Sequence, residues 1–191
     1  MSERAYEQGQ VFGTVIDVLE AVGARYAIWG GLAVLAFGEP RFTQDMDVLL
    51  RGDSLVIGPF LRRLYELHFY ADTAVVQNAV IGGGIFNVIH EHYAIKVDFY
   101  VPVEADLLAM IAERIYPPFD EARRAAYITA TSVIAAKLRA YMDSGSTRHL
   151  DDIAAIVRVQ GRKLEVARLD HLAAGLGCYG VWRGLWERRA R

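Results

Sequence analysis

A single cysteine, Cys178, in 191 residues rules out a disulfide framework and a cysteine-based zinc site. It stands in the run Gly-Leu-Gly-Cys-Tyr-Gly with no sequence sign of an activated thiol, so inert packing is its expected role. Long apolar runs are also missing: no stretch approaches the roughly 20 residues that a helix needs to cross a bilayer. Met1-Ser2-Glu3-Arg4 leads into an amphipathic pattern rather than a signal-like apolar segment, so a soluble, cytoplasmic protein without a membrane partner is expected. Charge of one sign is nearly balanced. The 21 Lys and Arg against 23 Asp and Glu leave a formal −2, which gives no general reason to expect nucleic acid or an anionic surface as partner. One basic cluster, Arg183, Arg188, Arg189 and Arg191, reads as a solvated helix end. Internal repeats, low-complexity segments and long linkers are absent from the sequence.

Length and a hydrophobic content of 53% suffice for one sizeable core, or a core with a helical extension. The division expected is 1–130 for the core and 131–191 for a C-terminal helical segment packed on it. Val11, Val15, Val18, Leu19 and Val22 recur at helical spacing and Gly23 stops them. Gly58-Pro59 opens a helix that Phe60 to Leu67 continues. Ala74–Val80 and Ile85–Ile89 are β-like runs on either side of Gly82-Gly83-Gly84 and read as a hairpin. His90-Glu91-His92 reads as a polar turn between strands, its spacing unlike that of helical zinc ligands. Leu107, Leu108, Ile111 and Ile115 mark a further helix before Pro117-Pro118, and Tyr127–Thr129 a short strand. Thr131 or Ser132 is expected to cap a helix over Val133–Met142, and Ser146 or Thr147 one from Arg148 to Val159. From Leu164 onward the pattern is helical again, with Trp182 and Trp186 one turn apart.

The chain is organised around Tyr26–Leu50. It reads as a short strand, a Gly30-Gly31 turn into a short helix, a loop carrying Arg41 and Thr43, and a strand with Asp45 and Asp47. Residues i and i+2 of a strand share a face, so the two carboxylates point the same way and repel unless a cation sits between them. A divalent ion answers that need, and hard oxygen ligands suit Mg²⁺ or Mn²⁺. Glycine lets a backbone approach a ligand closely, and the helix start behind it offers free N–H groups to an anion. Either feature alone is weak; Gly-Gly, thirteen residues, then Asp-x-Asp is specific. A dinucleotide-binding Rossmann domain is disfavoured, because Gly-x-Gly-x-x-Gly does not follow the first strand.

This joint pattern closely resembles the signature of the DNA polymerase beta-like nucleotidyltransferase superfamily. The resemblance implies an α+β nucleotidyltransferase fold, a mixed β-sheet flanked by helices with a C-terminal helical extension. It also implies a third metal carboxylate at Asp98, in Lys96-Val97-Asp98-Phe99-Tyr100; read from the residues alone, Asp98 is as readily a salt-bridge partner of Lys96. Lys137-Leu138 followed by Arg148-His149-Leu150-Asp151-Asp152-Ile153 is similar to a passage in stand-alone bacterial members, including toxin-type proteins of abortive-infection and toxin–antitoxin systems. There the resemblance places Lys137 and Arg148 on the nucleotide, with Asp151 or Asp152 holding those cations, Asp152 matching the family aspartate before an Ile or Leu better; spacing alone favours an exposed charge set with Arg148 paired to one of these acids. One departure is Gly-Gly where many members have Gly-Ser, so phosphate would be held by backbone N–H alone.

The implied activity moves a nucleoside monophosphate from a nucleoside triphosphate to an acceptor hydroxyl, releasing pyrophosphate. Asp45, Asp47 and Asp98 would be the catalytic carboxylates and hold two Mg²⁺ or Mn²⁺ ions. Gly30, Gly31, Arg41, Thr43, Lys137 and Arg148 would bind the nucleotide, ATP among the candidate donors. The acceptor stays open among protein, tRNA and small molecule, and a cognate partner protein or a homodimer fits the toxin-like branch. The alternative is a non-catalytic nucleotide-binding or interaction protein of the same fold, such as one member of a toxin–antitoxin-like pair.

Overall fold

The computed structural model describes residues 3–40 and 43–188. Arg41, Arg189 and Arg191, named above, lie outside them. The chain divides into two compact units: Met1–Leu32 with Thr43–Ile128, and Ala33–Phe42 with Thr129–Arg191.

The first unit is built on a five-stranded mixed sheet, β1 (Tyr26–Trp29), β2 (Met46–Leu50), β3 (Phe69–Tyr70), β4 (Gly84–His90) and β5 (Ile95–Val101), in the order β1-β2-β5-β4-β3. β2 runs parallel to β5, and the other neighbours are antiparallel. Strict alternation along β5 buries Ile95, Val97, Phe99 and Val101 on one face and leaves Lys96, Asp98 and Tyr100 only partly buried on the other. Two helices cover the apolar face, α1 (Glu3–Ala21) and α3 (Ile57–Glu66). From α1 come Val11, Phe12, Val15, Ile16, Val18 and Leu19, all at most 2% exposed. From α3, Phe60 meets Phe86 and Phe99 edge-on at 6.3 and 5.8 Å, over a stacked Phe86–Phe99 pair at 4.7 Å. Each buried aromatic of this kind is worth about 1.5–3 kcal/mol. The sheet is therefore apolar behind and polar in front.

Residues 74–80 are not a strand. They belong to the helix α4 (Thr73–Gly82), reached after α2 (Gly30–Phe37) and α3 in chain order. The Asp72 carboxylate caps it, accepting from the Ala74 and Val75 amides at 2.9 and 3.1 Å, and Gly83 at φ +82° ends it. Val76 and Ala79 are buried one turn apart while Val75 and Ile81 are exposed, a helical spacing inside a run of β-branched residues. The hairpin is instead β4–β5, turning through Glu91–Ala94, with Ala94 in the left-handed region at φ 51°. The helix read through Leu107 and Ile111 is α5 (Ala105–Ala112) and stops short of Ile115. Ile115 pairs with Tyr127 instead, and Tyr127 also bridges Ile28, so the strand expected at Tyr127–Thr129 is a pair of bridges.

In the second unit, α6 (Ala130–Ser144), α7 (Arg148–Gln160), α8 (Val166–Gly175) and α9 (Tyr179–Arg188) follow one another. Neither Thr131 nor Ser132 caps α6; both are buried, and Thr129 Oγ1 does so, accepting from the Ser132 amide at 3.1 Å. Gly145, left-handed at φ +69°, ends α6. Thr147 precedes α7 without a side-chain capping bond. Residues 33–40 are held to α7 by the Glu39–Arg158 pair at 2.6 Å and by Gln160 Nε2 donating to the Phe37 carbonyl at 2.8 Å. Trp182 is fully buried and donates its indole N–H to Asp170 at 2.8 Å, with Trp186 at 5.8 Å. Cys178 is buried, which pushes its thiol up and keeps it protonated, in line with packing. Arg183 lies within reach of Asp170 and Glu187 at 3.5 and 3.4 Å, and Arg188 Nε donates to the Gly184 carbonyl at 2.9 Å. Among the described residues no helix is long and apolar enough to cross a membrane.

Candidate active site

Strand register assembles the polar face. Trp29 pairs with Asp47, Asp47 with Asp98, and Asp98 with Asn87, giving one row across four strands. Paired residues of neighbouring strands share a face, so Asp47 and Asp98 stand side by side. Asp45 lies one residue before β2 rather than within it and is exposed; continuing the register sets it opposite Lys96. Lys96 Nζ sits 2.6 Å from Asp98 Oδ2, with the Asp98 side chain only 14% exposed. The salt-bridge reading of Asp98 is thus realised, and the charge of Asp45 acts on the same ammonium.

Gly30 gives this face its second wall. It is left-handed at φ +61°, a conformation that glycine adopts without steric cost. A Cβ built there would overlap Asp47 Oδ2 and stand 2.8 Å from its Cγ. The turn and the Asp47 carboxylate therefore need each other's shape: only a bare α-carbon lets the side chain lie against the backbone. Gly31 follows in the first turn of α2. Thr43 Oγ1 reaches toward the Asp45 carbonyl at 3.5 Å, at the entrance to β2. The segment is tied to α1 by Gln8, whose Nε2 donates to the carbonyls of Thr43 and Gln44 at 3.1 and 2.5 Å.

The electrostatics of the row are those of an acidic surface. Burial, then the charges of Asp47 and Asp98, raise the Tyr100 hydroxyl above its ordinary range. The hydrogen bond to Asp98 raises the Lys96 ammonium, and Asp45 adds to the effect. Among the described residues no three His, Cys, Asp or Glu side chains are already gathered as metal ligands. The donor set nevertheless suits a hard divalent ion: carboxylate oxygens on adjacent strands, at a place where one cation is already accepted.

Three residues of this region carry no signal in the sequence pattern. Gln8 lies on the remote helix α1. Asn87 enters through the β4–β5 register. Trp29 packs edge-on against Tyr100 at 5.0 Å, and its buried indole N–H has no hydrogen-bond partner. Only the last could have been suspected, as the aromatic immediately before the Gly-Gly turn.

Lys137 and Arg148 belong to the second unit. Lys137 Nζ is 2.8 Å from Asp152 Oδ2, with side chains 14% and 4% exposed, so Asp152 is the acid of the adjacent pair that holds the lysine. Arg148 opens α7 and is exposed. Next to it, burial and then the Lys137 charge lower the pKa of His149.

Solved structures share this architecture. The crystal structure of ANT(2'')-Ia in complex with adenylyl-2''-tobramycin superposes with a TM-score of 0.61 at 15% identity, covering 89% of this chain and 97% of that one. The solution structure of the antibiotic-resistance factor ANT(2'')-Ia gives 0.59 at 14% identity, over 94% and 96% of the two chains. JHP933 from Helicobacter pylori gives 0.50 at 12% identity, over 100% and 95%. No family model matches the chain, and no curated relative matches its sequence. The chain has the α+β fold of these neighbours, a mixed sheet flanked by helices.

Proposed function

We propose that this protein is a divalent-metal-dependent nucleotidyltransferase, transferring a nucleoside monophosphate from a nucleoside triphosphate to a hydroxyl of a small molecule and releasing pyrophosphate. The observation that carries the reading is the register of β2 on β5, which sets Asp47 beside Asp98 with the Gly30 turn against Asp47. A fold likeness to a protein seen with an adenylylated aminoglycoside supports a small acceptor and ATP as donor. The formal charge of −2 offers no pull on a polyanionic acceptor.

Asp45, Asp47 and Asp98 are the residues that would hold Mg²⁺ or Mn²⁺, two ions in all. The metal, when bound, supplies charge neutralisation and polarises the phosphate under attack. The backbone amides at Gly30 and Gly31 donate to the β- and γ-phosphates at the start of α2. Asp98 accepts the proton of the attacking hydroxyl, and Thr43 orders the entrance to the metal strand. Lys137 and Arg148 are assigned to the triphosphate by their likeness to the family's pattern, and Arg41 by its position in the sequence just ahead of the metal strand and the planar fork it offers a phosphate.

The non-catalytic alternative draws on the Lys96–Asp98 pair, which would then be a structural ion pair. Pyrophosphate release separates the two. With each nucleoside triphosphate, Mg²⁺ and a panel of aminoglycoside acceptors, wild type should release pyrophosphate, and Asp47→Asn or Asp98→Asn should lower the rate by about 10²-fold or more. Undiminished release by Asp98→Asn would refute the assignment, and no release from wild type with any pair of substrates would favour the binding protein.

A further inference from the structure

Lys96 has no part in the scheme above, yet its ammonium touches one of the three proposed metal ligands. It lies two residues before Asp98 on the same strand and the same face, so four methylenes carry the charge to the neighbouring carboxylate at 2.6 Å. The same charge is drawn toward Asp45 across the strand pair. Asp98 is largely shielded from solvent, whereas the Lys96 side chain is 41% exposed. The carboxylate is therefore fixed in place, while its partner has room to leave.

We propose that Lys96 is a tethered competitor for the metal site: its ammonium and a divalent cation contend for the same Asp98 oxygen, and the ion binds only as the lysine swings away. The inference rests on the proposed function, since it takes Asp98 as a metal ligand. Two positive charges at hydrogen-bond distance from one oxygen repel strongly, so one excludes the other. With no divalent ion bound, the lysine offsets part of the repulsion among Asp45, Asp47 and Asp98. Once displaced, it remains tethered two residues from Asp98 on the same face, within the length of its own stem from anything coordinated there. Apparent metal affinity is thereby lowered and coupled to whatever anion receives the released ammonium.

Mn²⁺ binding to the full chain, followed by electron paramagnetic resonance or calorimetry without nucleotide, tests this directly. An exposed ion pair is worth little, so Lys96→Met and Lys96→Gln should each bind Mn²⁺ tighter than wild type by about two- to five-fold. Lys96→Arg, which keeps the charge, should stay close to wild type, and Asp98→Asn should lose the binding. Far-UV circular dichroism confirms that each variant is folded. Should wild type bind Mn²⁺, Asp98→Asn lose it, and both uncharged Lys96 variants bind no tighter than wild type, the competitor role is wrong while the metal site stands. Should neither wild type nor any Lys96 variant bind Mn²⁺, the metal site itself is wrong and this inference falls with it.

Discussion

Replacing Gly30 by alanine separates the cost of a strained backbone from the cost of a displaced carboxylate. Gly30 holds φ +61°, and a residue with a Cβ pays roughly 1–2 kcal/mol to remain left-handed. In a chain of this size that lowers the melting temperature by roughly 2–8 °C. The added methyl would also overlap Asp47 Oδ2, so the carboxylate must rotate off the turn. Gly23 is the internal control. It is left-handed at φ +67° in the same unit, and a Cβ there meets nothing within 4 Å. Gly23→Ala and Gly30→Ala should therefore lose similar stability in a thermal melt, but only Gly30→Ala should also lose Mn²⁺ affinity and pyrophosphate release, by about tenfold or more for each 1.4 kcal/mol of lost Asp47 interaction. If Gly30→Ala binds Mn²⁺ as Gly23→Ala does, Asp47 is not a ligand held by that turn. A melt of Gly30→Ala indistinguishable from wild type would refute the strain argument itself.

Two further outcomes concern stability. Asp152→Ala leaves the Lys137 ammonium, 14% exposed, without this carboxylate, and should cost roughly 3–5 kcal/mol in urea unfolding. The double variant Lys137→Met with Asp152→Leu should recover much of that, and strictly additive single and double effects would show that the pair is not coupled. The ring of His90 packs against Phe69 and Tyr93 at 4.9 and 4.8 Å, and burial, then the charges of His92 and His68, lower its pKa against a smaller opposing effect of Glu91. The unfolded chain then binds more protons than the folded one just below about pH 6.5, so stability is complete above that value and falls as pH drops toward the folded pKa. Calorimetric melts from pH 5 to 8 should show this slope, and His90→Asn should flatten part of it; an unchanged slope would remove His90 as its source.

How much of this was legible in the sequence follows from the range of the interactions involved. Local features were readable. The Gly30 turn into α2, the α3 start at Gly58-Pro59 and the helices α6 and α7 on either side of Ser146 all arise within a few residues of chain. Capping misled in both directions, because Asp72 turned a β-branched run into α4 and Thr129, rather than Thr131 or Ser132, closed α6. A single side-chain bond to a free amide outweighs a weak propensity there.

What tertiary structure alone decided is who stands next to whom. Period two says which face Asp98 shares with Lys96 and Tyr100, but says nothing of the strand beside it; the parallel register of β2 on β5 supplied Asp47 as its neighbour. The same holds for Gln8 gripping the Thr43 loop from α1. Strand pairing and helix packing are set by burying whole faces, a collective outcome that no short window of residues encodes.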